Sequence, residues 1–108
     1  MRKTYRDMVE CGCDSANTLA IIGGKWKILI LYHLSLGTKR FNELGRLLPA
    51  VSAHTLSKDL LEMQEDGLII KIKYDVIPPK TEYRLSEKGN ELKTLLNEIK
   101  RFGEKYKA

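Results

Sequence analysis

The feature that most constrains the fold is a helical pattern with clear start and stop signals, followed directly by the pattern of a β-hairpin. Ser52 is a good N-cap, and Val51 before it can pack on Leu56 as a hydrophobic staple. The apolar stripe that follows, at i, i+4 and i+7, consists of Leu56, Leu60 and Met63. Gly67 is a natural C-terminal stop. The sequence therefore predicts a helix over about 53–66.

After Gly67 the hydrophobic period changes from that of a helix to that of a strand. Apolar and basic side chains alternate, the apolar ones being Ile70, Ile72 and Tyr74 and the basic ones Lys71 and Lys73. This predicts a strand whose wet face carries the two lysines. Residues 75–80 include two prolines and cannot continue a ladder, whereas residues 81–85 alternate again. The sequence therefore predicts a hairpin over about 68–85.

Four other segments have the apolar spacing of helices, at about 15–22, 25–36, 41–48 and 86–106. The second is apolar nearly all round, which is typical of a central helix, so Trp26 and His33 are expected to pack in the core. The side chains expected to face inward are Leu19, Ile22, Leu29, Ile30, Leu34, Phe41, Leu44 and Leu48. We predict the order helix, helix, helix, helix, hairpin, helix, in a mainly α fold of the α+β class.

Length and charge restrict the class of protein. A chain of 108 residues with 43% hydrophobic residues has the size of one domain, and it is too short for two cores with a catalytic cleft between them. No apolar run approaches the roughly 20 residues of a membrane span, and no apolar segment follows the basic N-terminus. We therefore expect a single domain over 1–108, located in the cytoplasm and without a membrane partner. The net charge of +5 is compatible with nucleic acid, although ordinary proteins share it.

The outward side of the predicted 53–66 helix has an uneven distribution of charge. Small, donor-rich or basic side chains come early, whereas the acidic ones come late, at Asp59, Glu62, Glu65 and Asp66. The recognition helix of a helix-turn-helix presents mainly its N-terminal residues to base edges, where acids would repel phosphates. Charge pattern alone fits an ordinary amphipathic helix equally well. For a recognition helix over about 52–66, the candidate base or phosphate contacts are Ser52, His54, Thr55, Ser57 and Lys58.

The predicted hairpin is basic. Lys71 and Lys73 lie on one strand, Lys80 at the proline-stiffened tip and Arg84 on the return strand. Such a hairpin beside a reading helix can lie along the DNA backbone or enter the minor groove. Arg40, at the start of the preceding helix, can touch a phosphate in the same way. Each lysine alone also fits a solvated strand, but four helices and a basic hairpin in this order indicate a winged helix-turn-helix.

The last predicted helix, about 86–106, has a long apolar stripe. Its members are Leu92, Leu95, Leu96, Ile99, Phe102 and Tyr106. Such a stripe is longer than a small domain can cover, and DNA-binding proteins are commonly two-fold symmetric dimers. We therefore predict a C-terminal dimerisation helix, although part of the stripe can close over its own domain.

Four segments, in their order along the chain, closely resemble HxlR-type transcriptional regulators. They are IGGKWKILIL (22–31), KRFNEL (39–44), LPAVSAHTLSKDLLEMQEDGLI (48–69) and VIPPKTEYRLSEKG (76–89). The resemblance spans about 13–96. It implies a homodimeric winged-helix protein without catalytic activity that binds double-stranded DNA at an inverted-repeat operator. Members act as repressors or activators, and many respond to electrophiles or oxidants through a cysteine.

The only two cysteines, Cys11 and Cys13, are one residue apart. In the family that the chain resembles, a sensor thiol usually occurs as Cys-Pro, and Cys13 matches its position, with Asp14 in place of the proline. A helix N-terminus after Cys13 favours a thiolate, whereas the neighbouring acids Asp14 and Glu10 raise a thiol pKa. A redox sensor, inert thiols and half of a metal site remain alternatives. Neither histidine is expected nearby to complete a metal site.

The function that these features predict is a dimeric, sequence-specific DNA-binding transcriptional regulator. Modification of Cys13 near the first helix would move the dimer interface and change the spacing of the two recognition helices. No cofactor or metal is expected. The alternative from another class is a winged helix that serves only as a protein-interaction module, for which the basic hairpin has no special use. A thiol enzyme is a more distant alternative, since the strand-helix alternation of thioredoxin-like domains is missing.

Overall fold

The computed structural model describes residues 14–107, and the two cysteines lie outside this range. Within it the chain forms six helices and three strands. They are α1 (Asp14–Ile22), α2 (Lys27–Ser35), β1 (Lys39–Arg40), α3 (Phe41–Leu47), α4 (Ala53–Glu65), β2 (Ile69–Tyr74), β3 (Lys80–Leu85), α5 (Glu87–Asn90) and α6 (Lys93–Lys105). The mainly α fold with a small antiparallel sheet is the one predicted.

Helix α4 begins and ends where its sequence signals predict. The Ser52 hydroxyl accepts a hydrogen bond from the Thr55 backbone N–H at 3.1 Å, which satisfies one of the free donors of the first turn. Leu56, Leu60 and Met63 are all buried, so the predicted stripe is confirmed. Gly67 ends the helix with φ +76°, a left-handed conformation that glycine adopts without strain.

The three strands form an antiparallel sheet in the order β1-β3-β2. Strands β2 and β3 are the predicted hairpin, paired from Ile69↔Leu85 to Tyr74↔Lys80. The sequence prediction missed β1, which pairs Arg40 with Glu82. A two-residue strand is too short to show an alternating pattern. Its effect is to fasten the start of α3 to the hairpin.

The face assignment predicted for β2 was wrong. Ile69 is buried opposite Leu85, and Lys71 lies opposite the buried Tyr83, so the lysines share the face that contains the core residues. Ile70 and Tyr74 point to the other face, where both are exposed. The run Leu-Ile-Ile at 68–70 fits either phase of alternation, and packing of Ile69 against the helices selects the observed one.

Helix α2 supplies much of the core, as predicted. Ile30, Leu31 and Leu34 are buried, and Trp26 packs partly buried against the same cluster. The other inward assignments hold for Ile22, Leu44 and Leu48, with Phe41 partly buried. Leu19 and Leu29 are instead exposed, and their apolar periodicity does not reflect burial within this chain. His33 is half-buried; burial, and to a smaller extent the Lys39 ammonium, lowers its pKa from the usual value.

The predicted C-terminal helix is broken in two. Ser86 caps the short helix α5, accepting from the Gly89 backbone N–H at 3.0 Å. The next hydrogen bonds span three residues, including Leu92 N–H to the Gly89 carbonyl at 3.0 Å, so the chain turns before α6 begins. Gly89 packs so closely on the Leu68 carbonyl that a Cβ there would lie 2.1 Å from its oxygen. The break was not predicted because the apolar spacing of the leucines continues across it.

A buried ion pair joins the two helices at the centre of the fold. Lys27 on α2 places its ammonium 2.9 Å from a carboxylate oxygen of Glu62 on α4, and the two side chains are 5% and 19% exposed. Asp59 on α4 is also buried, at 9% exposure. The prediction that Glu62 and Asp59 face outward was therefore wrong. Two of the four late acids therefore belong to the inner side of α4, whereas Glu65 is exposed at its end. The pair with Lys27 holds the inner side against α2.

We predict that Lys27→Met destabilises the fold by about 2–4 kcal/mol, because it removes one charge of a largely buried ion pair. Chemical denaturation in urea measures the change in unfolding free energy. The matched control is Lys25→Met, since the Lys25 side chain is exposed and its removal should cost about 1 kcal/mol or less. Equal stability of the two variants would contradict the structural role of the Lys27–Glu62 pair.

Candidate nucleic-acid interface

The N-terminal half of α4 presents a polar, partly basic face to solvent. His54, Ser57 and Lys58 are exposed and lie at the i, i+3, i+4 spacing of one helix face. Ser52 is exposed and Thr55 half-buried, and their hydroxyls bond to each other at 3.0 Å. The structure thus brings the five predicted α4 residues together, two of them within the cap and three on the outward face.

Leu61 extends this face and was missed in the sequence analysis. It is 57% exposed and lies one further turn along from His54, Ser57 and Lys58. The spacing of seven from His54 was the available signal. An exposed leucine on such a face can make an apolar contact, for example with a thymine methyl group in a major groove.

The hairpin forms a second basic surface. Lys71, Lys73 and Arg84 are exposed, and the Lys71 ammonium lies 5.9 Å from the centre of the Tyr83 ring. These cations stand on both faces of the ribbon, because Lys71 and Lys73 share the Tyr83 face while Arg84 pairs with Ile70 on the other. The charge of the hairpin is therefore not confined to the single wet face that was predicted.

Lys80 lies in a small network at the end of the hairpin. Its ammonium is 4.6 Å from the centre of the Tyr74 ring and 3.5 Å from a Glu82 carboxylate oxygen. The Tyr74 hydroxyl donates to Glu82 at 2.7 Å. This hydrogen bond is the main cause that raises the pKa of Tyr74 and lowers that of Glu82. The charge of Lys80 is thus partly compensated, and Lys71, Lys73 and Arg84 are the more exposed cations of the hairpin.

Arg40 and Lys80 meet where the hairpin joins α3. A surface groove of about 230 Å³ is lined by Arg40, Phe41, Asn42, Pro79, Lys80 and Thr81. The β1–β3 pairing brings these segments together, since Arg40 lies opposite Glu82. The two predicted backbone contacts are therefore neighbours, on a surface formed by elements other than α4.

The apolar stripe of α6 is largely uncovered within the described chain. Leu96 is buried, whereas Leu95, Ile99, Phe102 and Tyr106 are exposed, the last two at 64% and 60%. A cleft of about 200 Å³ between α2 and α6 is lined by Ile28, Leu29, Tyr32, Leu96, Ile99 and Lys100. The exposed Leu29 belongs to this apolar surface, which explains its failure to enter the core.

Residues 14–107 contain neither a metal-binding cluster nor a membrane-spanning helix. No group of three or more histidine, cysteine or acidic side chains in this range is arranged to hold a metal ion. None of the helices in the described range is long and apolar enough to cross a membrane. Cys11 and Cys13, the predicted redox-sensing residues, lie outside it, so their geometry does not enter the interface described above.

Comparison with known proteins identifies the family. The sequence model of the HxlR-like helix-turn-helix family matches residues 21–108. The uncharacterized HTH-type transcriptional regulator YdeP of Bacillus subtilis (strain 168) is 47% identical over 96 residues, which cover 89% of this chain and 75% of that protein. YtcD of the same organism, also described as an HTH-type transcriptional regulator, is 43% identical over 94% of this chain and 76% of its own length.

The similarity extends to solved structures. The redox regulator HypR in its oxidized form superposes with a TM-score of 0.86 at 38% identity, covering 89% of this chain and 99% of that one. Its reduced form gives a TM-score of 0.83 at 39% identity, over 86% and 92% of the two chains. These relatives are transcriptional regulators rather than members of an enzyme family. The chain therefore belongs to the HxlR-like helix-turn-helix family, and it is a winged-helix, sequence-specific DNA-binding transcriptional regulator.

Proposed function

We propose that the protein acts as a cytoplasmic homodimer on an inverted-repeat operator, with α4 of each subunit in a major groove. The observation that carries the proposal is the outward face of α4, where His54, Ser57 and Lys58 are exposed while Asp59 and Glu62 turn inward. A helix end with this charge distribution can approach phosphates without acidic repulsion. We propose no catalytic step for the chain.

Base edges are read by the α4 set, and the rest of the contacts are to the backbone. His54, Ser57 and Lys58 supply donors that reach base edges or the nearest phosphates, with Leu61 beside them. Ser52 and Thr55, whose hydroxyls are engaged in the cap, sit at the first turn, where phosphates approach a helix N-terminus. The remaining backbone contacts are Arg40, Lys71, Lys73 and Lys80.

Dimerisation occurs through α6. The exposed Phe102 and Tyr106 rings lie 5.0 Å apart and continue the apolar surface of the α2–α6 cleft. Exposed aromatic residues in a stripe along one helix are expensive to hydrate and well suited to a self-complementary two-fold contact. Such a contact sets the distance between two α4 helices and so the spacing of the operator half-sites.

Regulation acts through Cys13, with Cys11 as a second thiol. Cys13 immediately precedes α1 in the chain, and modification there would shift the packing of the dimer and the spacing of the two reading helices. The similarity to HypR, which is described as a redox regulator in oxidized and reduced forms, supports this proposal.

Lys58→Ala is expected to weaken binding to the operator about 5- to 100-fold, and the slope of log affinity against log salt should fall by about 1 if Lys58 contacts a phosphate. Fluorescence anisotropy at several salt concentrations measures both quantities. Lys93→Ala on the first turn of α6 is the control and should bind as the unmodified protein does. Unchanged DNA affinity of the Lys58 variant would contradict the placement of α4 in the DNA interface. A salt-independent affinity of the parent protein would favour the protein-interaction alternative.

Phe102→Asp is expected to convert the dimer to a monomer, because it places a carboxylate in the centre of the apolar α6 surface. Light scattering after size exclusion gives the mass, and circular dichroism checks that the fold persists. Asn97→Asp adds the same charge on the opposite side of α6 and should leave the mass unchanged. A dimer that survives the Phe102 substitution contradicts this assignment of the interface.

Cys13→Ser is expected to abolish the effect of an oxidant such as diamide on operator affinity, while affinity under reducing conditions stays the same. Cys11→Ser is the matched control and should retain the response. The measurement is operator binding by each variant before and after oxidation. A full response in the Cys13 variant would show that this thiol is not the sensor.

A further inference from the structure

The tip of the hairpin is apolar where such tips are usually polar. Residues 76–79 read Val-Ile-Pro-Pro, and Ile77 is 100% exposed with Val76 at 50%. Turns commonly contain Gly, Pro, Asn, Asp or Ser, so the two prolines are ordinary there and the exposed Val76 and Ile77 are the unusual residues. Single exposed apolar residues are common on protein surfaces, so exposure alone does not assign a role to Ile77. Its place at the end of a basic ribbon is the second observation.

The ribbon holds this tip in a defined place. The pairing of β2 with β3 continues to Tyr74↔Lys80, the last pair before the tip. Side-chain contacts stabilise this pair, namely the Tyr74–Glu82 hydrogen bond and the contact of the Lys80 ammonium with the Tyr74 ring. Pro78 and Pro79 restrict the backbone that follows Ile77, since the proline ring fixes φ. Little conformational entropy therefore remains to be lost when Ile77 makes a contact.

The charges around the tip specify the kind of partner. The hairpin carries four basic side chains, Lys71, Lys73, Lys80 and Arg84, against two acidic ones, Asp75 and Glu82. Glu82 is already engaged by Tyr74 and Lys80. In the DNA minor groove, sugars and base edges lie between two rows of phosphates. The apolar tip of the hairpin would contact the sugars and base edges, while the cations on its two faces would contact the phosphates. An acidic protein surface would not require the apolar tip.

The position of the hairpin along the chain fits the same groove. Helix α4 ends at Glu65 and β2 begins at Ile69, so the ribbon leaves directly from the end of the reading helix. A strand of six residues spans roughly 20 Å. With α4 in the major groove, this reach is enough to cross the adjoining phosphate backbone to the neighbouring minor groove.

We propose that Ile77 is a specificity-determining residue that packs against the floor of the minor groove beside each half-site and selects A·T over G·C pairs there. This inference depends on the proposed binding mode of α4. The physical basis of the selection is the guanine 2-amino group, which projects into the minor groove and would occupy the space that the isoleucine side chain requires. The phosphate contacts of the flanking lysines hold the residue in place without reading sequence.

Inosine provides the direct test, because an inosine·cytosine pair has the major-groove edge of G·C but lacks the minor-groove amino group. Operator duplexes obtained by selection from random sequence would carry A·T, G·C or inosine·cytosine at the pairs flanking each half-site. We expect the protein to bind the A·T and inosine duplexes with similar affinity and the G·C duplex at least about fivefold more weakly. Ile77→Ala should bind all three alike, with an unchanged salt slope because the lysines remain.

The control variant is Val76→Ala, which truncates the neighbouring half-exposed side chain and should retain the preference. Thermal unfolding should be the same for both variants, since Ile77 makes no buried contact. Equal binding of the inosine and G·C duplexes by the parent protein would overturn the inference, as would an undiminished preference in Ile77→Ala. Either result would leave the binding mode of α4 intact. Only a failure to select any operator would also reject the proposed function.

Discussion

The position of α4, the proposed reading helix, depends on the ion pair between the buried Lys27 and the largely buried Glu62. A lysine at 5% exposure is stable only when its charge is matched, and the 2.9 Å contact with Glu62 provides that match across α2 and α4. Rotation of α4 about its own axis would separate the buried Lys27 charge from Glu62 and is therefore costly. The same pair also withdraws a carboxylate from the outward face, so that in the first two turns His54, Ser57 and Lys58 meet solvent, and the exposed acid Glu65 lies only at the far end of the helix.

A second junction connects the hairpin to the C-terminal helices. The Leu68 carbonyl accepts from the Ser86 backbone N–H at 3.0 Å, and Gly89 packs against that same carbonyl. The Ser86 hydroxyl also donates to the Gly67 carbonyl at 2.6 Å. The end of α4, the base of the hairpin and the start of α5 therefore form one closely packed unit. In the proposed dimer, a displacement of α5 would therefore be transmitted to α4 and the hairpin together.

Sequence reasoning succeeded where one local signal determined the outcome. Helix α4 has a side-chain cap, a strict stripe and a glycine in the left-handed region, and its limits followed from these. It failed where tertiary contacts decide between local alternatives. Which face of β2 points inward depends on whether Ile69 or Ile70 packs in the core. The inward orientation of the Glu62 side chain depends on Lys27, which is far away in sequence. The break after α5 arises from the approach of Gly89 to Leu68, and no periodicity records such a contact.

The candidate interface was predictable in part for the same reason. The α4 donors follow from the position of the cap, and Arg40 and Lys80 were both expected to lie near DNA. That these two residues line one groove follows from the pairing of β1 with β3, and β1 was not predicted. Leu61 and Ile77 are apolar and were passed over because basic and polar side chains are the usual indicators of DNA contact. Their exposure in the folded chain is what distinguishes them from core residues.

In the proposed complex, α4 and the hairpin of two subunits together form a two-fold reader of DNA. The most direct test is selection from a library of random duplexes, using the full chain first under reducing and then under oxidising conditions. The account predicts enrichment of an inverted repeat by the reduced protein, with half-sites about one helical turn apart, and loss of that enrichment on oxidation. Absence of any enriched sequence at low salt would contradict the account and favour a winged helix that binds only protein.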